Sequence, residues 1–510
     1  MDSLLLLCSR RLVSRHPLPA IPDDLYPALF RAAFLDGRLQ VLRDLVAQWP
    51  FPELQFQRIL GSRELLRDHS KLCIRTVVGA VAERLQMDLE EPGRDSSRRR
   101  LRTLDLTELP DGKSVGCGTV ALAKACLELS KRRRRSWKSQ KSQKSQKSRK
   151  SQKSREKPRK GHPGFSVDAR SDFQVDDVSH RILRAALRSG NAGSPLRLRC
   201  REFRARKLPA ESVAELLESL DPHGVEKVDL TFSILELLGL FLVLLTLPRF
   251  PALRSLRIRY VREDAWGKMP RWAPEMREFS EELGSLPGLR ELRLGSFGFS
   301  GDLGRFLGKL QAPLEILELP FCSLLPADFS FLSRSSHAPA LKTLDLSGHD
   351  FSGNLLEPLR QLLEKSSGSL LHLDLMECRL TDSHLESLLD SLRRCSRLRR
   401  LRILGNSFSA AALREFLRET AEFPELRLVV HPIPVDCFLS RRFPRRSGSR
   451  WVLEKRLDPG LWEAERAELG RILESSGRTD VVWTHDPHGH SAQSQSQFQS
   501  QSQSHCPSRS

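Results

Sequence analysis

Residues 341–346 read LKTLDL and residues 370–375 read LLHLDL, which is the same L-x-x-L-x-L pattern. Segments of this pattern follow one another from residue 225, and successive copies start 25 to 36 residues apart. The copies are VEKVDL at 225, LRSLRI at 253, LRELRL at 289, LEILEL at 314, LKTLDL at 341, LLHLDL at 370, LRRLRI at 398 and a degenerate LRLVVH at 426. A sustained period of this length is the signature of a repeat architecture.

Each copy predicts a strand that is followed by a helix. The segments SHLESLLDSLRRC at 383–395 and AALREFLRETA at 411–421 have leucines spaced three and four residues apart, which favours helices. Neither element can bury its apolar face alone, so the units must stack. The sequence therefore predicts an α/β leucine-rich repeat solenoid, a horseshoe with its strands on the concave side. An ordinary doubly wound α/β domain would not contain eight tandem copies.

The ninth position of the motif carries small or polar side chains that can bond the turning backbone. These are Cys322, His349, Cys378 and Asn406. We expect each of them to lie inside its turn.

The remainder of the chain is divided by composition. We predict a helical N-terminal module at 1–95, a first repeat-like segment at 96–130 around LRTLDL, a basic disordered insert at 131–163, leucine-rich repeats at 164–430 including a weak copy at SPLRLRC, a C-terminal cap at 431–487 and a disordered tail at 488–510. The stretch 262–277, rich in Trp and Pro, is interpreted as a surface loop.

The positive charge of the chain is concentrated in one segment. Residues 131–160 hold sixteen Lys and Arg against Glu156, so +15 of the formal +20 belongs there and the other 480 residues carry +5. A nuclear import signal, a non-specific nucleic-acid patch and a neutral expansion of a KSQ repeat all fit this run. Trp137 is the only aromatic residue in it, so nucleic acid is an unfavoured partner.

Other sequence features favour a reduced, non-catalytic protein. The ten cysteines are scattered without a CxxC pair, which fits free thiols in the cytoplasm, and the basic run leaves nuclear import open. The apolar run 234–247 is too short to cross a bilayer, so no membrane is expected. A Gly-rich phosphate loop, an HExxH motif and a GxSxG motif are all absent from the sequence. We therefore predict no enzyme activity, no metal and no cofactor.

The first residues form a candidate partner-binding helix. Ser3 can cap a helix on which Leu4, Cys8 and Leu12 fall at i, i+4 and i+8 of one face. This arrangement resembles the BC box of Elongin C-binding proteins. Packing of the same leucines inside the N-terminal module is the alternative.

A second segment follows the first. Ile21, Pro22, Leu25 and Leu29 match the spacing of the cullin-2 box, with Pro22 suited to a helix start and Leu25 and Leu29 on one face. The two segments occur in the order that such a pair requires.

Several non-periodic stretches resemble the PRAME family of leucine-rich repeat proteins. They are PFPELQF at 50–56, RRRLRTLDLTELPD at 98–111, GSPLRLRCREFRARKLP at 193–209, HAPALKTLDLSGHDFSG at 337–353 and HPIPVDCF at 431–438. The resemblance implies a non-catalytic substrate receptor of a cullin-2 RING ubiquitin ligase, which binds Elongin B/C and cullin-2. The alternative is a ligase-independent adaptor that negatively regulates a signalling complex or transcription factor; a nucleic-acid-associated nuclear protein is a third reading.

The concave face is the predicted substrate groove. The fifth motif positions are Asp229, Arg257, Arg293, Glu318, Asp345, Asp374 and Arg402, with Arg259 and Arg400 alongside. Neighbouring strands lie about 4.8 Å apart, so three carboxylates would form an acidic stripe between two basic ones. A basic partner segment with acidic flanks would fit this stripe. A solvated face without a ligand is the alternative.

Overall fold

The computed structural model describes residues 4–61, 70–90, 101–109, 112–147, 166–190, 194–232, 237–260, 276–444 and 451–487. Contacts between residues divide the chain into two compact units, Met1–Arg254 and Ser255–Ser510.

The first unit combines N-terminal helices with the first parallel strands. Its elements are α1 (Leu4–Val13), α2 (Tyr26–Leu35), α3 (Leu39–Ala47), β1 (Glu53–Gln55), α4 (Phe56–Leu60), α5 (Ser70–Glu90), β2 (Thr103–Leu106), α6 (Gly112–Lys147), β3 (Val167–Val175), α7 (His180–Gly190), β4 (Leu196–Arg206), α8 (Ala210–Ser219), β5 (Lys227–Phe232) and α9 (Leu237–Thr246). Strands β1 to β5 pair in sequence order, and every pair is parallel.

An aromatic cluster fixes the N-terminal helices on the first strand. The Phe56 ring, at the start of α4, lies edge-on to Phe30 and Phe34 of α2, with ring centroids 5.5 and 5.9 Å apart. Trp49 meets Phe30 at 5.7 Å, and its indole N–H donates to the carbonyl of Glu53 in β1. These rings are fully buried, so α2 is anchored where β1 begins.

The second unit is a regular array. Its elements are β6 (Ser255–Tyr260), α10 (Met276–Gly284), β7 (Glu291–Gly295), α11 (Leu303–Leu307), β8 (Ile316–Glu318), α12 (Pro326–Arg334), β9 (Thr343–Asp345), α13 (Leu356–Ser366), β10 (His372–Asp374), α14 (Asp382–Arg394), β11 (Arg400–Arg402), α15 (Ala410–Ala421), β12 (Leu428–Val430), β13 (Phe438–Pro444), β14 (Trp451–Leu457), α16 (Pro459–Ser475) and β15 (Val482–Thr484). Strands β6 to β12 pair in sequence order and parallel, and β15 adds to β12.

The predicted fold class is confirmed, because all eight copies of the motif begin strands and both predicted helices are present as α14 and α15. Motif leucines such as Leu341, Leu344 and Leu346 are fully buried and form the stacked core. The four residues at the ninth position are also buried and bond the turn as expected. Asn406 receives the N–H groups of Cys378 and Leu380 on its side-chain oxygen.

Three features of the domains were not anticipated from the sequence. The N-terminal module is not purely helical, because β1 pairs in parallel with β2. Strand β3 precedes the predicted weak repeat and was not anticipated. The C-terminal cap contains the antiparallel hairpin β13–β14, the helix α16 and the strand β15, which continues the repeat sheet.

The first part of the basic insert, predicted as disordered, lies within helix α6. Helix α6 continues through residues 131–147. Lys and Gln have high helix propensity, and extending an existing helix avoids the cost of nucleation. The remainder of the insert, residues 262–275 of the loop predicted at 262–277, and the tail at 488–510 lie outside the described residues. The last two residues of that predicted loop begin α10.

Candidate functional site

Helix α1 has one packed stripe and a broad exposed face. Leu6, Ser9 and Val13 are buried, and the helix packs on α2. The opposite face holds Leu4, which is 78% exposed, and Cys8 and Leu12, which are also exposed. The three predicted contact residues therefore share a solvent-facing side, whereas Ser3 lies outside the described residues.

The second segment is divided between surface and core. Asp23–Leu25 forms a 3-10 turn that leads into α2, and Pro22 is its N-cap. Pro22 is exposed, and Ile21 and Leu25 are half-buried. Leu29 is 1% exposed, so the prediction that it presents a surface to cullin-2 needs correction. It lies in the core because α2 packs against α1, α3 and α4.

A pocket of about 610 Å³, which the sequence did not predict, lies beside α1. Leu5 of α1, Pro27 of α2 and Trp49 line it, together with Phe51 and Ile59. These residues come from separate segments with no common motif, so only the packing of the helices brings them together.

The predicted ladder of charges is present in the second unit. Arg257 pairs in register with Arg293, Arg293 with Glu318, Glu318 with Asp345, and Asp345 with Asp374. Asp374 in turn pairs with Arg402. Arg259 lies two residues beyond Arg257 opposite Gly295, and Asp229 belongs to the first unit, where Arg204 is its register partner.

Arginines neutralise the two ends of the acidic stripe. Glu318 contacts Arg293 at 2.8 Å and Arg257 at 3.6 Å. Asp374 contacts Arg402 at 3.3 Å and Arg400 at 3.7 Å. The acidic stripe therefore attracts a basic partner less strongly than three carboxylates without arginine contacts would.

Asp345, in the middle of the acidic stripe, differs from Glu318 and Asp374. Its carboxylate accepts the Ser347 backbone N–H at 2.9 Å. Burial, and then the neighbouring charges of Asp374 and Glu318, raise the pKa of Asp345 to about 6. Burial also raises the pKa of Asp374, while Arg400 and Arg402 oppose this shift. Asp345 therefore changes charge at about pH 6.

The described part of the chain holds no group of three or more His, Cys, Asp or Glu side chains that could hold a metal ion. A membrane-spanning helix is likewise not found among those residues.

Comparisons with known proteins agree with this architecture. The PRAME N-terminal domain matches residues 6–112 and the PRAME C-terminal domain matches residues 193–443. Leucine-rich repeat-containing protein 14 of Xenopus laevis is 41% identical over 515 residues, covering 95% of this chain and 98% of that protein. The Homo sapiens protein of the same name is 39% identical over 508 residues, covering 96% and 99%. PRAME family member 12 of Homo sapiens is 27% identical and covers 82% and 81%. With matches to both domains and this identity over almost its whole length, the chain belongs to the PRAME family of leucine-rich repeat proteins.

Proposed function

We propose that the protein is a non-catalytic substrate receptor of a cullin-2 RING E3 ubiquitin ligase that acts in the cytoplasm. In this proposal α1 binds Elongin C of the Elongin B/C pair, Ile21, Pro22 and Leu25 contact cullin-2, and the ladder of the second unit holds the target protein. The ubiquitin transfer itself is catalysed by other subunits, and proximity of the target raises the effective concentration of its lysines.

The observation that carries the proposal is the exposed face of α1. Leu4, Cys8 and Leu12 line one side of a ten-residue helix that already uses its other side for packing. A helix with leucine and a small thiol at this spacing can insert its apolar side chains into a groove of a partner. Burial of an exposed leucine in such a groove contributes about 2 kcal/mol.

The first experiment tests Elongin C binding. Purified protein is mixed with the Elongin B/C pair, and Leu4→Ser/Cys8→Phe is compared with wild type by pulldown. Leu461→Ser is the control, because Leu461 is an exposed leucine on helix α16 of the second unit. We expect wild type and control to retain Elongin C and the double variant to lose it. Equal recovery by the double variant, or no recovery at all, would favour the ligase-independent adaptor.

The second experiment separates cullin-2 from Elongin C. Pro22→Ser/Leu25→Ser changes the accessible part of the second segment and leaves buried Leu29 intact. We expect this variant to keep Elongin B/C and to lose cullin-2 from the reconstituted complex. Retention of cullin-2 at wild-type affinity would exclude this segment as the contact.

The third experiment tests the groove. Replacing Asp345 and Asp374 by lysine would bury two new charges, so Asp345→Asn/Asp374→Asn is the better variant. Targets are those proteins that cross-link to the wild-type second unit and whose ubiquitination depends on this chain. Unchanged recovery of every such target with the Asn variant would remove the ladder from the proposal.

A further inference from the structure

A cationic pocket on the first unit is separate from the helix α1 and from the charge ladder. It encloses about 880 Å³ between α5, α6 and the end of β3. Four positively charged residues line it: Lys71 and Arg75 on α5, Lys124 on α6 and Arg206 at the end of β4. All four are exposed.

These four cations lack an ion-pair partner within the described residues. Some other surface arginines of the same unit do have carboxylate partners, as Arg43 has Glu83 at 2.7 Å and Arg184 has Glu215 at 2.8 Å. Four unpaired like charges around one concavity repel each other, and an anionic ligand would relieve that repulsion.

Asp176, the one carboxylate among the described lining residues, is engaged by its own loop. Asp176 accepts the Ser179 hydroxyl at 2.7 Å and the backbone N–H groups of Val178 and Ser179 at 3.2 and 2.9 Å. These contacts cap the approach to α7 and favour the ionised carboxylate, so the described lining carries four positive charges against one negative charge. The excess of positive charge in the pocket therefore persists.

The uncharged residues that line the pocket indicate which kind of anionic ligand fits it. Val178 is 79% exposed and Val120 lies in the same pocket, so an apolar side chain has a place beside the cations. None of the described lining residues is aromatic, so nucleobases would have no ring on which to stack. We propose that this pocket binds an acidic polypeptide segment in which carboxylates flank an aliphatic side chain. This proposal does not depend on the proposed ligase function.

The test uses the full chain and a short fluorescein-labelled peptide in which glutamates flank a leucine. Fluorescence anisotropy is expected to show binding that weakens as NaCl is raised. Arg75→Glu/Lys124→Glu is expected to weaken it by about tenfold or more, and Arg75→Gln/Lys124→Gln by less. The matched control is Arg334→Glu/Lys365→Glu, which reverses two exposed helical cations of the second unit and should bind as wild type.

Three outcomes would overturn the proposal. The first is peptide binding by Arg75→Glu/Lys124→Glu equal to that of wild type. The second is equal binding of a peptide with lysines in place of the glutamates. The third is tighter binding of a labelled single-stranded oligonucleotide that depends on Arg75 and Lys124, which would assign the pocket to nucleic acid. Circular dichroism of each variant distinguishes a lost contact from a lost fold, and the glutamine variant provides the second measurement if the reversal unfolds the chain.

Discussion

Asp345 and Asp374 are register partners on the adjacent parallel strands β9 and β10, so the half-buried carboxylate of Asp345 and the buried carboxylate of Asp374 stand side by side with like charge. Arg400 and Arg402 contact Asp374 but not Asp345. Burial and the neighbouring charges of Asp374 and Glu318 raise the pKa of Asp345 to about 6. Asp345, at the centre of the described ladder, is therefore the carboxylate whose charged form is least favoured.

Replacing Asp345 by asparagine is expected to stabilise the protein above pH 6. Because the folded pKa of Asp345 lies above the unfolded value, the folded chain binds more protons between about pH 4 and pH 6, and stability falls as the pH rises through that window. Asp345→Asn should raise the free energy of unfolding at pH 7.5 by about 2 kcal/mol and change it little near pH 4. Urea denaturation at both pH values measures this effect.

Asp350→Asn is the control for that experiment. The Ser352 hydroxyl lowers the pKa of the exposed Asp350 carboxyl, so this substitution should not stabilise the protein at pH 7.5. A loss of stability in Asp345→Asn at pH 7.5, or an equal gain at both pH values, would contradict the raised pKa of Asp345.

The two N-terminal segments are expected to respond differently to truncation of their leucines. Leu29 is 1% exposed, so Leu29→Ala should reduce the free energy of unfolding by about 3 kcal/mol through lost burial and a cavity. Leu4→Ala, at a position that is 78% exposed, should change it by less than about 0.5 kcal/mol. Urea unfolding of both variants measures the difference, and similar losses would mean that α1 packs more deeply than described.

Asn406 is expected to be a stability determinant of the second unit. Its side chain accepts two buried backbone N–H groups and donates to the carbonyls of Leu375 and Ile403, both at 2.8 Å. Asn406→Ala leaves these groups without partners and should cost about 3 kcal/mol. Exposed Asn354→Ala is the control, with an expected change within about 0.5 kcal/mol. Comparable melting temperatures of the two variants would refute the role of Asn406 in stabilising the second unit.

A buried ion pair is expected to support the first unit. Arg201 contacts both carboxylate oxygens of Asp172, at 3.3 and 3.2 Å, and Asp172 also accepts the Glu108 N–H at 2.7 Å. Arg201→Met leaves a carboxylate that is 2% exposed without its cation and should cost about 3 kcal/mol.

The control for that pair is Arg379→Met, which removes the cation of an exposed pair with Asp350. Its cost should be below about 1 kcal/mol, because exposed ion pairs contribute little. Thermal unfolding of both variants at low and at high salt separates the two cases. Equal sensitivity to salt would indicate that Arg201 is more solvated than its contacts suggest.

The repeat strands could be predicted because each carries leucines with a fixed spacing, and their partners have the same spacing. Strand β1 could not, since Glu53–Gln55 has a single buried leucine, Leu54, and becomes a strand by pairing with β2. The extension of α6 was missed for a related reason. A Lys-Ser-Gln tract has no apolar periodicity, and its helix is propagated from the preceding residues.

The order of the charges on the ladder followed from sequence alone, because parallel strands with equal offsets bring equivalent motif positions into register. Whether a given charge is paired, buried or titratable was decided by tertiary structure, since side-chain burial and arginine geometry depend on neighbours about 28 residues away. The same holds at the N-terminus. Helical spacing placed Leu25 and Leu29 on a common face, but only the packing of the helices determined that Leu29 is core while Leu4, Cys8 and Leu12 face water.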